Sequence, residues 1–398
     1  MKIRFLLTVL FAVLLSGCGG PTNSSEWHSS QKSEFLHILQ QDKYMSICDQ
    51  QVLYQKVKES KNPQLMTRLL VNYTNNLANG CIANAGKFGA YRQEVSASDI
   101  QMKLKAGQSI ETILNPYIPE YSQFNTLIAQ YRTLKQSGRA SPKLLHKIRL
   151  NIERIKLMKP GLGKTYALVN IPEYKVRVIE NDKTAVAMKV IIGKKKNQTP
   201  IFSEELKYII LNPTWNVPDS IARNEIIPKV LKNPDYLKSH NLVMRKDYNL
   251  GSQALSFDSV NPEAYVGGKG AVPFKFIEVP SDRNALGRVK FIFPNHHSVY
   301  MHDTPTKYLF KRKVRTFSHG CIRLEKPKYM LEYLSKHYTS HDYEDVKAQY
   351  DSYKTHYLKI TKRLPVHTAY LTTYVEENGK LMAFNDPYGF DKSQRFNF

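Results

Sequence analysis

The first half of this 398-residue chain holds no cluster of metal-ligating residues, no phosphate-cradling glycine loop and no internal repeat. That excludes a metal- or nucleotide-handling module and a solenoid there. Beyond the first twenty residues no apolar run is long enough to span a bilayer. Cysteine is scarce, with four residues at 18, 48, 81 and 321, so each can be considered singly. Acidic residues are short as well: 34 against 58 basic ones, a formal net charge of +24. Such an excess implies an anionic partner, whether nucleic acid, a membrane surface or an anionic polymer. The length allows two or more domains with sizeable cores.

The N-terminus chooses among those partners. Met1-Lys2-Ile3-Arg4 is a positive leader, and 5–15 is an apolar stretch too short to cross a membrane. Leu15-Ser16-Gly17-Cys18 follows and resembles a bacterial lipobox, in which Cys18 is lipidated and becomes the first mature residue. An ordinary signal peptide cut near Gly17 is the alternative. Either way the chain leaves the cytoplasm and nucleic acid is excluded as a partner. Residues 19–31 read as a flexible Gly/Ser/Thr/Asn tether. Gly19 after the lipid site favours the outer membrane. With Cys18 lipidated and Cys321 free, Cys48 and Cys81 remain, either as a disulfide in an oxidising compartment or as two buried thiols.

From 32 to 162 the apolar period is helical. Leu65, Leu69, Leu70, Tyr73 and Leu77 form one stripe, closed by Gly80. Tyr121, Phe124, Leu127, Ile128, Tyr131 and Leu134 form a second. Ser141-Pro142 opens a third helix that buries Leu145, Ile148, Ile152 and Ile155. At Lys164 the period switches to two. Strands are expected over 165–170, 174–180, 185–193 and 207–211, with a turn at Asn181-Asp182, and later ones around Phe291 and over 299–302. Pro327 opens a helix, and 366–375 and 381–384 flank a hairpin turn at Asn378-Gly379. Between Trp215 and Asn284 lie short helical pieces broken by Pro228 and Pro234, and a hinge-like loop at Gly267-Gly268-Lys269-Gly270. An insertion of that size in a β domain reads as a lid or binding element. The fold class is α+β.

Chemistry concentrates at Ser318-His319-Gly320-Cys321-Ile322-Arg323, with His302 19 positions before Cys321. A thiol becomes a strong nucleophile when an imidazole takes its proton. Glycine permits a sharp turn whose backbone N–H groups converge on one point. His319 is too near in sequence to face the sulfur easily, whereas His302 reaches it from another strand, so His302 is the expected base. The basic run Lys311, Arg312, Lys313 and Arg315 is expected to favour a thiolate and attract carboxylates.

His302-Asp303, fourteen residues, then the hexapeptide around Cys321 resembles the signature of the L,D-transpeptidases with a YkuD-type catalytic domain. Further stretches resemble the large, YcbB-like branch. These are Gln198-Thr199-Pro200, Asn212-Pro213-Thr214-Trp215-Asn216-Val217-Pro218, Asn284-Ala285-Leu286-Gly287-Arg288-Val289-Lys290-Phe291, Phe293-Pro294-Asn295 and Asp386-Pro387-Tyr388-Gly389. The resemblance implies a signal peptide over 1–17, lipidated Cys18 and tether over 18–31 and a helical scaffold over 32–162. A catalytic domain over 163–390 would follow, with 215–284 inserted as a cap. No room remains for the small peptidoglycan-binding module usual in that branch.

The resemblance also implies roles. Cys321 is the nucleophile, His302 the base, His319 a further catalytic residue, and Gly320 and Arg323 shape the oxyanion site and order it. Tyr300, Trp215 and Ser318 contact substrate. Peptidoglycan stems are donor and acceptor, the terminal D-alanine leaves, and a 3→3 cross-link forms. Carbapenem-type β-lactams would inhibit, and no metal or cofactor is needed. Within the same chemistry, water or a lipoprotein amine is an alternative acceptor. Outside it stands a wall-binding structural lipoprotein. The expected location is the periplasm of a Gram-negative bacterium, lipid-anchored to the outer membrane.

Overall fold

The computed structural model describes residues 27–85, 90–160 and 163–398. The leader 1–17, Cys18 and the tether as far as residue 26 lie outside the described residues. The tether reading fails for its last residues. Helix α1 begins at Ser29, and Trp27 is buried with its indole donating to Thr67 Oγ1 at 2.9 Å. The buried Gln31 amide donates to the Leu104 and Gln108 carbonyls, so this stretch has tertiary partners that a tether lacks.

The scaffold comprises α1 (Ser29–Gln41), α2 (Gln51–Ser60), α3 (Pro63–Asn79), α4 (Ala97–Lys105), α5 (Ile110–Leu114), α6 (Ser122–Ser137) and α7 (Pro142–Lys156). Asn62, Ser96, Ser109 and Ser141 cap α3, α4, α5 and α7 through side-chain oxygens, each worth about 1 kcal/mol. Cys48 and Cys81 are bonded to each other, tying the segment before α2 to the end of α3. Helix α7 departs from the one-faced pattern. Asn151, Glu153, Arg154 and Lys156 are buried along with its isoleucines, because the helix is enclosed between the scaffold and the end of the chain. Arg154 pairs with Asp391 at 2.8 Å, and Lys156 with Glu153 at 3.2 Å.

Sixteen strands follow among the described residues. They are β1 (Tyr166–Asn170), β2 (Lys175–Glu180), β3 (Lys183–Gly193), β4 (Phe202–Glu205), β5 (Tyr208–Leu211), β6 (Trp215–Asn216), β7 (Leu242–Arg245), β8 (Lys275–Glu278), β9 (Val289–Ile292), β10 (Met301–His302), β11 (Thr316–Ser318), β12 (Ile322–Leu324), β13 (His356–Lys359), β14 (Pro365–Ala369), β15 (Thr373–Val375) and β16 (Leu381–Ala383). The main sheet runs β13-β5-β9-β10-β12-β3-β2-β1-β14-β4, with β11 also on β3. Strand alternation decides what each face meets. Tyr166 and Leu168 of β1 join the helical core, whereas Ala167 and Val169 join the core on the opposite face. Scaffold and sheet thus share one hydrophobic cluster, and the architecture is α+β: helices, then a largely β domain.

Two local expectations change. The run 366–375 is two strands, because β14 pairs with β1 and β4 while only β15 pairs with β16 around Asn378-Gly379. Pro228 does not break its helix. Helical turns run from Asp219 to Lys232, with a π turn at Ala222–Ile226 just before the proline-bearing segment Ile227–Lys232. The segment between β5 and β9 carries its own three-stranded sheet, β6-β8-β7, over a separate apolar cluster of Val217, Ile227, Phe274 and Phe276. Its 267–270 loop is tied down, because the Arg223 guanidinium donates to the carbonyls of Tyr265, Gly270 and Ala271.

Candidate active site around Cys321

Strand β10 lies between β9 and β12, and its register places His302 opposite Lys290 on one side and Arg323 on the other. Directly opposed residues share a sheet face, so an imidazole sits between two cations. Met301, one residue earlier, points the other way into the core. Cys321 ends the turn joining β11 to β12. It is a half-buried free thiol whose Sγ faces the Ser298 carbonyl at 3.9 Å. Asn295 builds the loop that presents this carbonyl. Its amide donates to the Phe293 and Val299 carbonyls, and its Oδ1 accepts from the His297 and Val299 amides.

The turn itself is braced from below. Gly320 has φ +120°, a region that L side chains rarely adopt. Its carbonyl accepts from the Thr199 hydroxyl at 2.7 Å, and Thr199 Oγ1 in turn accepts from the Gly193 amide at 2.9 Å. Tyr388 Oη donates to the Gly193 carbonyl at 2.9 Å and accepts from the Thr199 amide at 3.1 Å. The 198–200 and 386–389 stretches therefore hold the cysteine turn in place. Gly193 cannot carry a side chain there, because a Cβ would lie 2.0 Å from the Asn197 carbonyl.

Two expected roles change. Ser318 is 1% exposed, and its hydroxyl donates to the Cys321 carbonyl at 2.6 Å while accepting from the Gly320 amide at 3.2 Å. It closes the turn and has no face for a substrate. The Gly320 N–H is thereby occupied, so Gly320 serves as the turn's pivot and not as an oxyanion donor. Trp215 and Arg323 line a cavity of about 190 Å³ together with Glu278 and Ile226 of the inserted segment. Burial pushes the Glu278 carboxyl up to about 7. The Tyr300 ring lies 5.6 Å from that of His302, with Lys290 Nζ 3.8 Å from its centroid.

The electrostatics differ from those expected. Burial raises the Cys321 thiol above its ordinary value; Tyr300, Lys290 and Arg323 oppose that rise without cancelling it. Burial first, then the Arg323 and Lys290 charges, push His302 down to about 3. At neutral pH the resting site therefore holds a thiol and a neutral imidazole, not an ion pair. His302 is 4% exposed, and its Nδ1 has no hydrogen-bond partner among the described residues. The cations beside the sulfur are Lys290 and Arg323; Lys311, Arg312 and Lys313 are exposed, and Arg315 is spent on the carbonyls of Val190, Arg312 and Tyr174. His319 is exposed. Its Nε2 lies 2.9 Å from the carboxylate of Glu225 on the inserted segment.

The sequence reading gave no role to Lys290 or Glu225. A signal existed for Lys290: it is a lone charge in the apolar run Val289-Lys290-Phe291. Because its charge lowers the Cys321 thiol, Lys290→Met is expected to move the pH profile of Cys321 alkylation upward. An unshifted profile would remove Lys290 from the site's electrostatics.

Residues 164–347 match the L,D-transpeptidase catalytic domain, YkuD. A Haemophilus influenzae protein named "Putative L,D-transpeptidase" is 29% identical over 253 residues, covering 63% of this chain and 49% of its own length. The chain thus spans about half the length of that relative. An L,D-transpeptidase from Mycobacterium smegmatis overlaps 52% of this chain and 58% of its own at 12% identity, with a TM-score of 0.24. LdtMt1 in complex with imipenem overlaps 52% and 59%, also at 12% and 0.24. Over residues 164–347, then, the chain is similar to the L,D-transpeptidase catalytic domain of the YkuD family.

Proposed function

We propose that the chain is a peptidoglycan L,D-transpeptidase working through a Cys321 acyl-thioenzyme. The observation that carries this is that the free Cys321 thiol and the enclosed His302 share two neighbouring cations, Lys290 and Arg323, which flank His302 in the sheet and whose charges reach the sulfur. A peptide stem brings carboxylates, and Lys290 and Arg323 are placed to attract them. Binding such an anion offsets the positive field that depresses His302, so substrate itself strengthens the base. The proton then leaves Sγ for His302 as the Sγ–C bond forms at the third stem residue. A buried imidazolium with so low a pKa is a strong acid, suited to protonating the departing D-alanine amine. An amine of a neighbouring stem resolves the thioester, giving a 3→3 cross-link. The N-terminal sequence supports export and lipid anchoring through Cys18, hence a periplasmic site of action at the outer membrane.

The test is to incubate the protein with tetrapeptide-stem muropeptides and read the products by mass. A 3→3 dimer is expected together with free D-alanine. A tripeptide alone would make the enzyme an L,D-carboxypeptidase, and cross-linking confined to a lipoprotein amine would make it an anchoring enzyme. A carbapenem is expected to add covalently at Cys321; a protein that neither acylates nor turns over stems is a structural one.

On the same proposal the inserted segment is a cap that covers bound stems. Its separate apolar cluster supports this, as does the Asn284 clasp, whose amide donates to the Pro213, Glu278 and Val279 carbonyls where the segment leaves and rejoins the main sheet. A cap must open more easily than the sheet beneath it. Amide exchange is expected to be faster over 216–278 than in β3, and to slow after acylation of Cys321. Uniform exchange, unmoved by acylation, would make the segment a fixed part of the domain.

A further inference from the structure

We propose that Glu225 and His319 form the subsite that binds the acceptor's ammonium group and removes its proton. This rests on the transpeptidase reading above and concerns only its second half. The two cations on the sheet face suit a carboxylate-bearing donor and repel an ammonium. Glu225 supplies the opposite charge beside the cysteine turn, 2.9 Å from His319 Nε2, and its field also reaches Arg323. It comes from the inserted segment, within the π turn Ala222–Ile226. Arg223, two residues earlier, is committed to the 265–271 carbonyls, so the widened turn serves two directions at once. Single π turns inside α-helices concentrate at functional sites.

The chemistry follows from the contact. A carboxylate at Nε2 selects the tautomer with its proton on that nitrogen, which leaves the Nδ1 lone pair free. A carboxylate that orients an imidazole also stabilises the imidazolium once a proton is taken. His302 is enclosed on the donor side, whereas about a third of each of the Glu225 and His319 side chains is exposed to an incoming acceptor. In the step, the ammonium nitrogen gives one proton to His319 Nδ1 and attacks the thioester carbonyl. The C–N bond forms and the C–S bond breaks. The second nitrogen proton ends on Cys321 sulfur, restoring the thiol, and His319 releases the first to solvent. No other reactant is consumed.

The experiment uses the full chain, a tetrapeptide-stem donor and two acceptors: a stem amine, and hydroxylamine, which is largely unprotonated at neutral pH. D-Alanine release and the mass of the acyl-enzyme report the first half-reaction. With Glu225→Gln the acyl-enzyme is expected to form and accumulate. Aminolysis by the stem should fall about 100-fold relative to hydroxylaminolysis, and Glu225→Asp should restore part of it. A merely structural loss would lower both acceptors together, and that result overturns the inference. So does a Glu225→Gln enzyme that cross-links stems at the native rate. If the native protein itself forms no acyl-enzyme, the transpeptidase reading falls and this subsite with it.

Discussion

Cys321→Ala is expected to abolish acylation by peptide stems and by carbapenems alike, a fall on the order of 10⁵-fold or more. No other free cysteine exists among the described residues to take its place. Cys321→Ser is expected to fare little better. A hydroxyl is a far weaker acid than a thiol, and an imidazole held down to about 3 is a poor acceptor for its proton. Neither change should unfold the protein. Cys321 is a half-buried residue outside the apolar clusters, so the stability cost is about 1 kcal/mol or less. Intact-protein mass after carbapenem exposure, with a urea melt, checks both halves. A folded Cys321→Ala protein that still cross-links would remove the thioenzyme mechanism altogether.

Gly287→Ala is expected to be strongly destabilising and to disturb the site as well. Gly287 has φ +61°, and a Cβ there would lie 2.3 Å from the Asp303 Cγ. Asp303 cannot yield cheaply. It is 7% exposed, and its carboxylate accepts from the Arg288 and Thr304 amides and pairs with Lys307 Nζ at 2.6 Å. Left-handed backbone costs a residue with a side chain about 1–2 kcal/mol, and displacing a buried, bonded carboxylate adds about 2–3 kcal/mol more. Asp303 adjoins His302, so the displacement should carry into the site. We expect a loss of about 3–5 kcal/mol in urea unfolding and slower carbapenem acylation of the folded fraction. Gly379→Ala is the control. Gly379 has φ +81° but no atom within 4 Å of the added Cβ, so only the backbone cost of about 1–2 kcal/mol applies. Equal effects from the two substitutions would show that the clash with Asp303 is relieved without consequence.

Much of the chain was legible from residues alone, because the signals are local. The helical stripes from Leu65 to Ile155 and the change of period at Lys164 follow from short-range geometry, and so does the order of helices before strands. The turn at Asn181-Asp182 forms where expected, with both residues at positive φ. The peculiarity of Cys321 was local too: a cysteine after glycine, near two histidines, in a chain with few cysteines. The pairing of strands distant in sequence was not legible. Only the tertiary structure sets β10 in parallel beside β12 and against β9, and that register alone puts Lys290 and Arg323 on either side of His302. The consequence reverses the resting charge state, since burial and two neighbouring cations act through space, and the sequence neighbours Lys311–Lys313 do not reach. Ser318 shows the same limit on a small scale. Its place in the motif suggested a substrate contact, but whether a hydroxyl faces a cleft or closes its own turn depends on which groups the fold brings to it. Glu225 shows it at the largest scale: it meets His319 across 94 residues of sequence because an inserted segment folds back over the sheet.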